Sequence, residues 1–444
     1  MTEYQQRRQQ LIAQLDTASI TIIASANISY RNNDTEWLFR QDSDFYYLTG
    51  FLEANSLLLL IKDATDVSKF ILFCQQKTVE QEIWHGSILG PQGAISKLGA
   101  DEAYNNTEAN SLIPKLLFNI KTIYYHLGRS QALDNNIINW LNIARNTART
   151  KTRSTTTTIK YLPDNIKDIS TIIHEMRLLK SKLEIDKLKT AANISATGHL
   201  ELMRNCQAGL MEYHLDAMFL AHCKKHGCQA MAYSPIVASG NNACTLHYVA
   251  NNSKLQAGDL ILIDAGGEYQ YYASDITRTF PVTGRFSEPQ RAIYQLVLDA
   301  QLAAIQQVKP GVTFNKLQET ILHILVTGLV KLKLLTGKVT DLINTQAYKK
   351  FYMHNSGHWL GLDVHDVGDY KTLGNWRTLQ PGMVLTIEPG LYIAANASDV
   401  AAKWRGIGVR IEDDVLVTQQ GHEVLSHLAP KTIDEIEHVM SHAV

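Results

Sequence analysis

Asp259 to Phe280 read DLILIDAGGEYQYYASDITRTF, two strand-like runs flanking a short polar centre. Alternating and apolar residues close together in sequence predict a hairpin. Two acids, Asp264 and Asp275, interrupt it. If their carboxylates face each other across the ladder, the turn falls near Tyr269 and Gln270, and Gly266-Gly267 becomes a kink or bulge inside a strand. The plainer alternative has one aspartate capping a turn and the other paired with Arg278.

The same anomaly recurs further on. Glu388 ends the apolar run VLTIEPG, where Pro389 and Gly390 stop a strand, and Glu412 sits in VRIEDDV. A buried carboxylate persists only when paired, hydrogen-bonded or bound to a cation. For Glu412 the rival is a simple ion pair with Arg410. Between these acids, HNSGHWLGLDVHD carries His354, His358 and His365 among glycines that permit close backbone approach. The spacing of His354 and His358 matches one helical face, but Gly357 and Gly361 argue against a long regular helix. Asp264, Asp275, His358, Glu388 and Glu412 thus form a candidate hard, oxygen-rich ligand set, suited to manganese, magnesium, iron or cobalt rather than structural zinc. Four carboxylates exceed what one divalent ion requires, so two ions are expected.

The chain has 444 residues, and two domains are expected. Lys and Arg total 42 against 43 for Asp and Glu, a balance that provides no field for nucleic acid or an anionic membrane. The opening MTEYQQRRQQLIAQLD lacks the apolar core of a signal peptide, and no run approaches a membrane span. A cytoplasmic location is the expectation. Cys74, Cys206, Cys223, Cys228 and Cys244 show no CxxC spacing and read as reduced. Residues 1 to about 145 mix strand runs such as SLLLLI and KFILFC with helical stretches, an α/β pattern holding none of the five ligand candidates. ARNTARTKTRSTTTTIK, residues 144–160, reads as a solvated linker. Long amphipathic helices follow, with Ser181 and Glu184 forming a capping box. Helix, sheet, helix and sheet then succeed one another, which predicts an α+β domain whose helices cover one face of a curved antiparallel sheet.

These residues resemble the metallopeptidases of the pita-bread fold, the group of methionine aminopeptidase, prolidase and aminopeptidase P. LIDAGGEYQYYASDITRTFPV, HWLGLDVHD, GMVLTIEPGLY and RGIGVRIEDDV are similar to aminopeptidase P in order and spacing. So is SPIVASGNNACTLHY, which contains His247, and SDFYYLTGF and EIWHGSILG resemble its non-catalytic domain. The likeness departs at KSKLEI, where relatives often carry a proline after KS, and in the stretch 330–350. It implies a creatinase-like α/β domain over residues 1–173 and a pita-bread catalytic domain over 174–444. It further implies two manganese ions, with other divalent ions possible: Asp264 on one, Asp275 and Glu412 bridging, His358 and Glu388 on the second.

Glu388, His354 and His365 are the implied catalytic residues, and His247, Arg410 and Tyr392 the implied substrate-binding group, with Tyr392 in a supporting place behind the others. The implied substrates are peptides with proline second, cleaved by a homodimer or homotetramer in which Trp84 rims a neighbouring subunit's cleft. Prolidase, restricted to dipeptides, and a non-catalytic peptide-binding module are the alternatives. Tyr233, Tyr248 and Trp359 are possible aromatic wall residues, though aromatics at such spacing are more often core.

Overall fold

In the computed structural model, which describes residues 1–151 and 159–441, the chain forms two compact units, Met1–His174 and Glu175–Val444. The first is built on strands β1 (Ser19–Ala24), β2 (Leu57–Lys62), β3 (Ser68–Cys74), β4 (Glu102–Asn105), β5 (Thr122–Tyr124) and β6 (Asn165–Lys167). They lie in the order β4-β3-β2-β1-β5-β6, antiparallel around β1, β2 and β3 and parallel outside them. The central strands read as unbroken apolar runs because both their faces are covered. Ile20, Ile22, Leu59, Ile71 and Phe73 join Trp140 in this unit's core.

Trp140 belongs to helix α1 (Gln131–Lys151), and that helix corrects the linker reading. Residues 144–151 are helical, whereas 152–158 lie outside the described residues. Trp140 and Ala144 are buried four residues apart while the arginines and threonines around them face outward. The polar residues of 145–150 are therefore the solvent side of an amphipathic helix.

The second unit follows the predicted alternation. Helix α2 (Lys182–Asn205) opens on the Ser181–Glu184 capping box and precedes α3 (Glu212–Lys225). Strands β7 (Ile236–Ser239), β8 (Leu260–Asp264), β9 (Gly267–Tyr269), β10 (Tyr272–Ala273) and β11 (Thr277–Pro281) come next. Helices α4 (Glu288–Gln307) and α5 (Phe314–Lys331) separate them from β12 (Val384–Ile387), β13 (Gly390–Ile393), β14 (Ile407–Arg410), β15 (Asp413–Val417) and β16 (His422–Val424). Every strand pair among these is antiparallel. Leu317, Ile321, Leu325 and Leu329 recur every four residues along α5 and bury one stripe of it in the common core. Four cysteines are buried and Cys244 is partly so, and all five are free thiols. No helix among the described residues is long and apolar enough to cross a membrane.

Candidate metal centre and active site

Asp264 is the last residue of β8 and pairs with Thr277 of β11. Asp275 is therefore not its direct partner, which corrects the expected register. Ala265 N donates to Ile276 O and Ser274 N to Gly267 O, so the ladder runs on through the strand break to a turn at Gln270 and Tyr271. Both turn residues have positive φ, 48° and 71°, the requirement of a two-residue type I′ turn. The turn lies one position later than expected. Asp275 then stands two residues before Thr277, on the same face as Asp264, because side chains alternate with period two. At the kink, a Cβ on Gly266 would come within 1.8 Å of Ser274 O, so no larger residue fits.

The other candidates arrive from strand ends. Thr386 N donates to His358 O and Glu388 N to Ser356 O, both at 2.9 Å, which lays the irregular histidine segment along β12. A Cβ on Gly357 would meet Thr386 O at 2.1 Å, so this approach also depends on glycine. Glu412 N donates to Thr277 O at 3.1 Å, joining the β14–β15 junction to the hairpin.

Ligand atoms of Asp275, His358 and Glu412 lie within 4.8 Å of one another. His358 Nε2 is 3.2 Å from Asp275 Oδ2 and 3.7 Å from Glu388 Oε1. Its Nδ1 is 3.0 Å from the Trp359 carbonyl, which can only accept, so Nδ1 carries a proton and Nε2 is the nitrogen that faces the acids. Tyr233 places its hydroxyl 2.6 Å from one oxygen of each aspartate. Arg410 donates to Asp264 Oδ2 at 2.6 Å, and Thr277 Oγ1 donates to Glu412 Oε2 at 2.7 Å.

Charge in this cluster is unbalanced. Burial, then the charges of Asp275, Glu388 and Asp264, holds the Glu412 carboxyl well above the usual carboxylate range. Burial likewise pushes Glu388 up to about 7 against the opposing pull of His358. Burial disfavours a charged His358, yet its hydrogen bond to Asp275 and the charges of Asp275 and Glu388 outweigh that and push it up to about 9. A proton at Nε2 answers the same demand for positive charge that a metal ion would. Four converging carboxylates with a correctly oriented imidazole thus fit divalent cations.

These residues open onto a cleft of about 700 Å³. Of the candidate ligands, catalytic residues and substrate-binding residues, all but Tyr392 line it: His247, Asp264, Asp275, His354, His358, His365, Glu388, Arg410 and Glu412. Tyr392 is only 3% exposed and meets the site through others, a place behind the cleft-lining residues. Arg410 Nη1 donates to the Tyr392 hydroxyl at 3.0 Å, and that hydroxyl lies 2.8 Å from His354 Nε2. His354 Nδ1 meets Asn355 O at 2.7 Å, which makes the chain one of successive donors ending on a neutral imidazole. Burial, reinforced by Arg410, pushes His354 down to about 4.

Neither ion-pair alternative holds. Arg278 pairs with Asp413, not Asp275, and Arg410 pairs with Asp264, not Glu412. The aromatic wall also differs from the candidates: Trp359 is fully buried, Tyr248 hydrogen-bonds Glu212, and Phe314, Tyr370, Trp376 and Leu246 form the apolar lining. Two supports escaped the sequence. Tyr233 acts by its hydroxyl rather than its ring, and buried Asp414 accepts the Asp275 amide on both oxygens at 3.2 Å. Nothing in the run VRIEDDV separates Asp413 and Asp414 from ordinary surface acids, and only their depth in β15 does so.

An α/β unit preceding a helix-covered antiparallel domain, with buried acids and histidines converging in a cleft, defines the class: a pita-bread metallopeptidase. Comparison with known proteins agrees. Residues 186–419 match the model of metallopeptidase family M24, and residues 4–124 match the aminopeptidase P N-terminal domain. The chain is 41% identical to Xaa-Pro aminopeptidase of Escherichia coli (strain K12), over 99% of this chain and 97% of that protein. It is 35% identical to human Xaa-Pro aminopeptidase 3, over 99% and 86% respectively. Among solved structures, aminopeptidase PepP of Pseudomonas aeruginosa superimposes with a TM-score of 0.95 at 46% identity, covering 99% of this chain and 98% of that one. The chain belongs to metallopeptidase family M24 and carries an aminopeptidase P N-terminal domain.

Proposed function

We propose that this enzyme removes the N-terminal residue from peptides whose second residue is proline, using two divalent cations, manganese by preference. One observation carries the reading: Asp264, Asp275, His358, Glu388 and Glu412 converge in one cleft, with His358 Nε2 turned toward the carboxylates. Asp264 would hold one ion, His358 and Glu388 the other, and Asp275 and Glu412 both. When bound, the pair supplies Lewis acidity that polarises the scissile carbonyl and acidifies a water.

The protein's own groups do the rest. Glu388 accepts the water's proton. Of the four acids it is the least restrained, since Arg410 and Tyr233 hold Asp264, Tyr233 and His358 hold Asp275, and Thr277 holds Glu412 at 2.7 Å, whereas the Thr386 hydroxyl is 3.5 Å from Glu388. Proline makes the leaving nitrogen a tertiary amide without an N–H and locks φ near −65°. Such a nitrogen departs only when protonated from outside. His365, its ring centroid 4.1 Å from that of His358 and exposed in the cleft, is the group we assign to that transfer. Arg410, which lines the cleft, stabilises the developing oxyanion, and His354, accepting from the Tyr392 hydroxyl and donating to Asn355 O, holds in place the Tyr392 side chain that Arg410 bonds. His247 lines the same cleft and is the group we assign to contact with the bound peptide.

The five free thiols suit a reducing cytoplasm. Helix Val79–His85 exposes Ile83 and Trp84, 75% and 76%, a face we assign to contact with a second copy in a homodimer or homotetramer. Light scattering of the full chain distinguishes two copies from four.

The deciding assay uses purified protein stripped with chelator and reloaded with manganese. Cleavage of Xaa-Pro-Xaa tripeptides with release of the first residue is the expected result. Cleavage of dipeptides alone would instead establish a prolidase. No hydrolysis with any divalent ion would leave a peptide-binding module.

A further inference from the structure

Glu212, the first residue of α3, is fully buried, and among the described residues no lysine, arginine or histidine pairs with it. Burying an unpaired carboxylate costs several kcal/mol unless hydrogen bonds replace its water. Here five donors do. Oε1 accepts from Ser239 N and Ser239 Oγ, each at 2.7 Å, and from Asn242 Nδ2 at 3.0 Å. Oε2 accepts from the Tyr248 hydroxyl at 2.8 Å and from Ser253 N at 2.9 Å.

These donors are not scattered. Ser239 ends β7, Ser253 returns the chain toward β8, and Asn242 and Tyr248 lie between them. One carboxylate therefore gathers both ends and the middle of the loop 240–252. Asn242 Nδ2 reinforces the closure by also donating to Ser253 Oγ at 2.9 Å. The loop's contribution to the cleft is Leu246 and His247, immediately before Tyr248. A carboxylate only accepts, so all five donors can face it. A neutral amide would turn its own N–H groups against some of them.

We propose that Glu212 is a positioning residue for the peptide cleft, acting through the loop 240–252 to hold His247, with Leu246, against the bound peptide. The inference rests on the reading of His247 as a substrate contact. A loop ordered before binding spares the peptide the entropy of ordering it, so loosening the clamp should weaken substrate binding while the metal ligands stay in place.

The test is a double-variant cycle on manganese-loaded full-length enzyme, with kcat and KM for an Xaa-Pro-Xaa tripeptide and metal content measured for each protein. Glu212→Gln is expected to lower kcat/KM by about 10- to 100-fold, as small misplacements of a binding group do, mostly through KM and with metal content unchanged. Tyr248→Phe, which removes one of the five donors and keeps the fold, should cost about 2- to 5-fold. In a His247→Ala background both losses should shrink to less than about twofold, because coupled residues are not additive.

Losses that multiply with His247→Ala, a fall in activity that tracks lost metal, or unchanged kinetics in Glu212→Gln and Tyr248→Phe would each overturn the proposal. So would a His247→Ala enzyme with wild-type kinetics. If Glu212→Gln does not fold, Tyr248→Phe decides the cycle. A wild-type enzyme inactive on every Xaa-Pro-Xaa peptide fails the functional reading itself, whereas an active wild type with unaffected variants fails this inference alone.

Discussion

The Tyr233 hydroxyl stands 2.6 Å from an oxygen of each of two aspartates and carries one proton to share between them. Burial, then the charges of Asp264 and Asp275, holds its own pKa well above that of an ordinary phenol, so it remains a donor throughout the working pH range. It fixes the orientation of both carboxylates before any cation arrives. Partners of this kind commonly contribute tenfold to a hundredfold in metal affinity. Tyr233→Phe should therefore weaken manganese binding by about 10- to 100-fold by titration calorimetry, with little change in the fold by circular dichroism. The candidate acids themselves were legible one by one, since a carboxylate inside an apolar run contradicts its surroundings. Their partners were not. Arg278 and Arg410 each lie close in sequence to the acid a local reading would pair them with, yet they bond to Asp413 and Asp264, because strand alternation and the sheet's closure decide which side chains meet.

Helix α2 stitches the kinked hairpin that carries Asp264 and Asp275. Ser195 and His199 lie four residues apart on it and so share one face. Ser195 Oγ accepts from Gly267 N at 2.9 Å, and His199 Nε2 lies 3.0 Å from Ala265 O, so the strand break costs few unsatisfied backbone groups. Burial pushes His199 down to about 3, against an ordinary value near 6.5. The unfolded chain takes up this proton first. The stability His199 contributes is therefore complete above about pH 6.5 and declines as pH falls toward 3. His199→Gln, whose amide can still donate to Ala265 O, should escape that decline. Urea unfolding at pH 7 and pH 5 should show wild type losing about 2 kcal/mol more than the variant over this interval; equal losses would mean the imidazole titrates normally. The hairpin could be read from its alternation, but its turn could not be placed exactly. Gln270 and Tyr271 lack the glycine or asparagine that usually announces positive φ, and the register follows from α2 packing against Gly267 and Ser274.

At the scale of the whole molecule, folding and cation binding are one equilibrium, since the five candidate ligands come from distant segments and meet only in the native state. Ions held a hundredfold above their dissociation constant add about 3 kcal/mol each. Chelation should lower the midpoint of thermal unfolding and abolish peptide hydrolysis, and manganese should restore both; an unchanged midpoint with full metal removal would show that the acids tolerate one another without it. By itself, the sequence determined the two-part α/β and α+β organisation and the chemical type of the site. Periodicity and an acid's misfit in an apolar run are local properties of the chain. Tertiary structure alone decided the hairpin register, the helical end of α1, the true partners of the arginines, the burial of Tyr392 and the clamp at Glu212. Each of these depends on a contact between residues far apart in sequence, and such contacts are selected by packing, which no window along the chain contains.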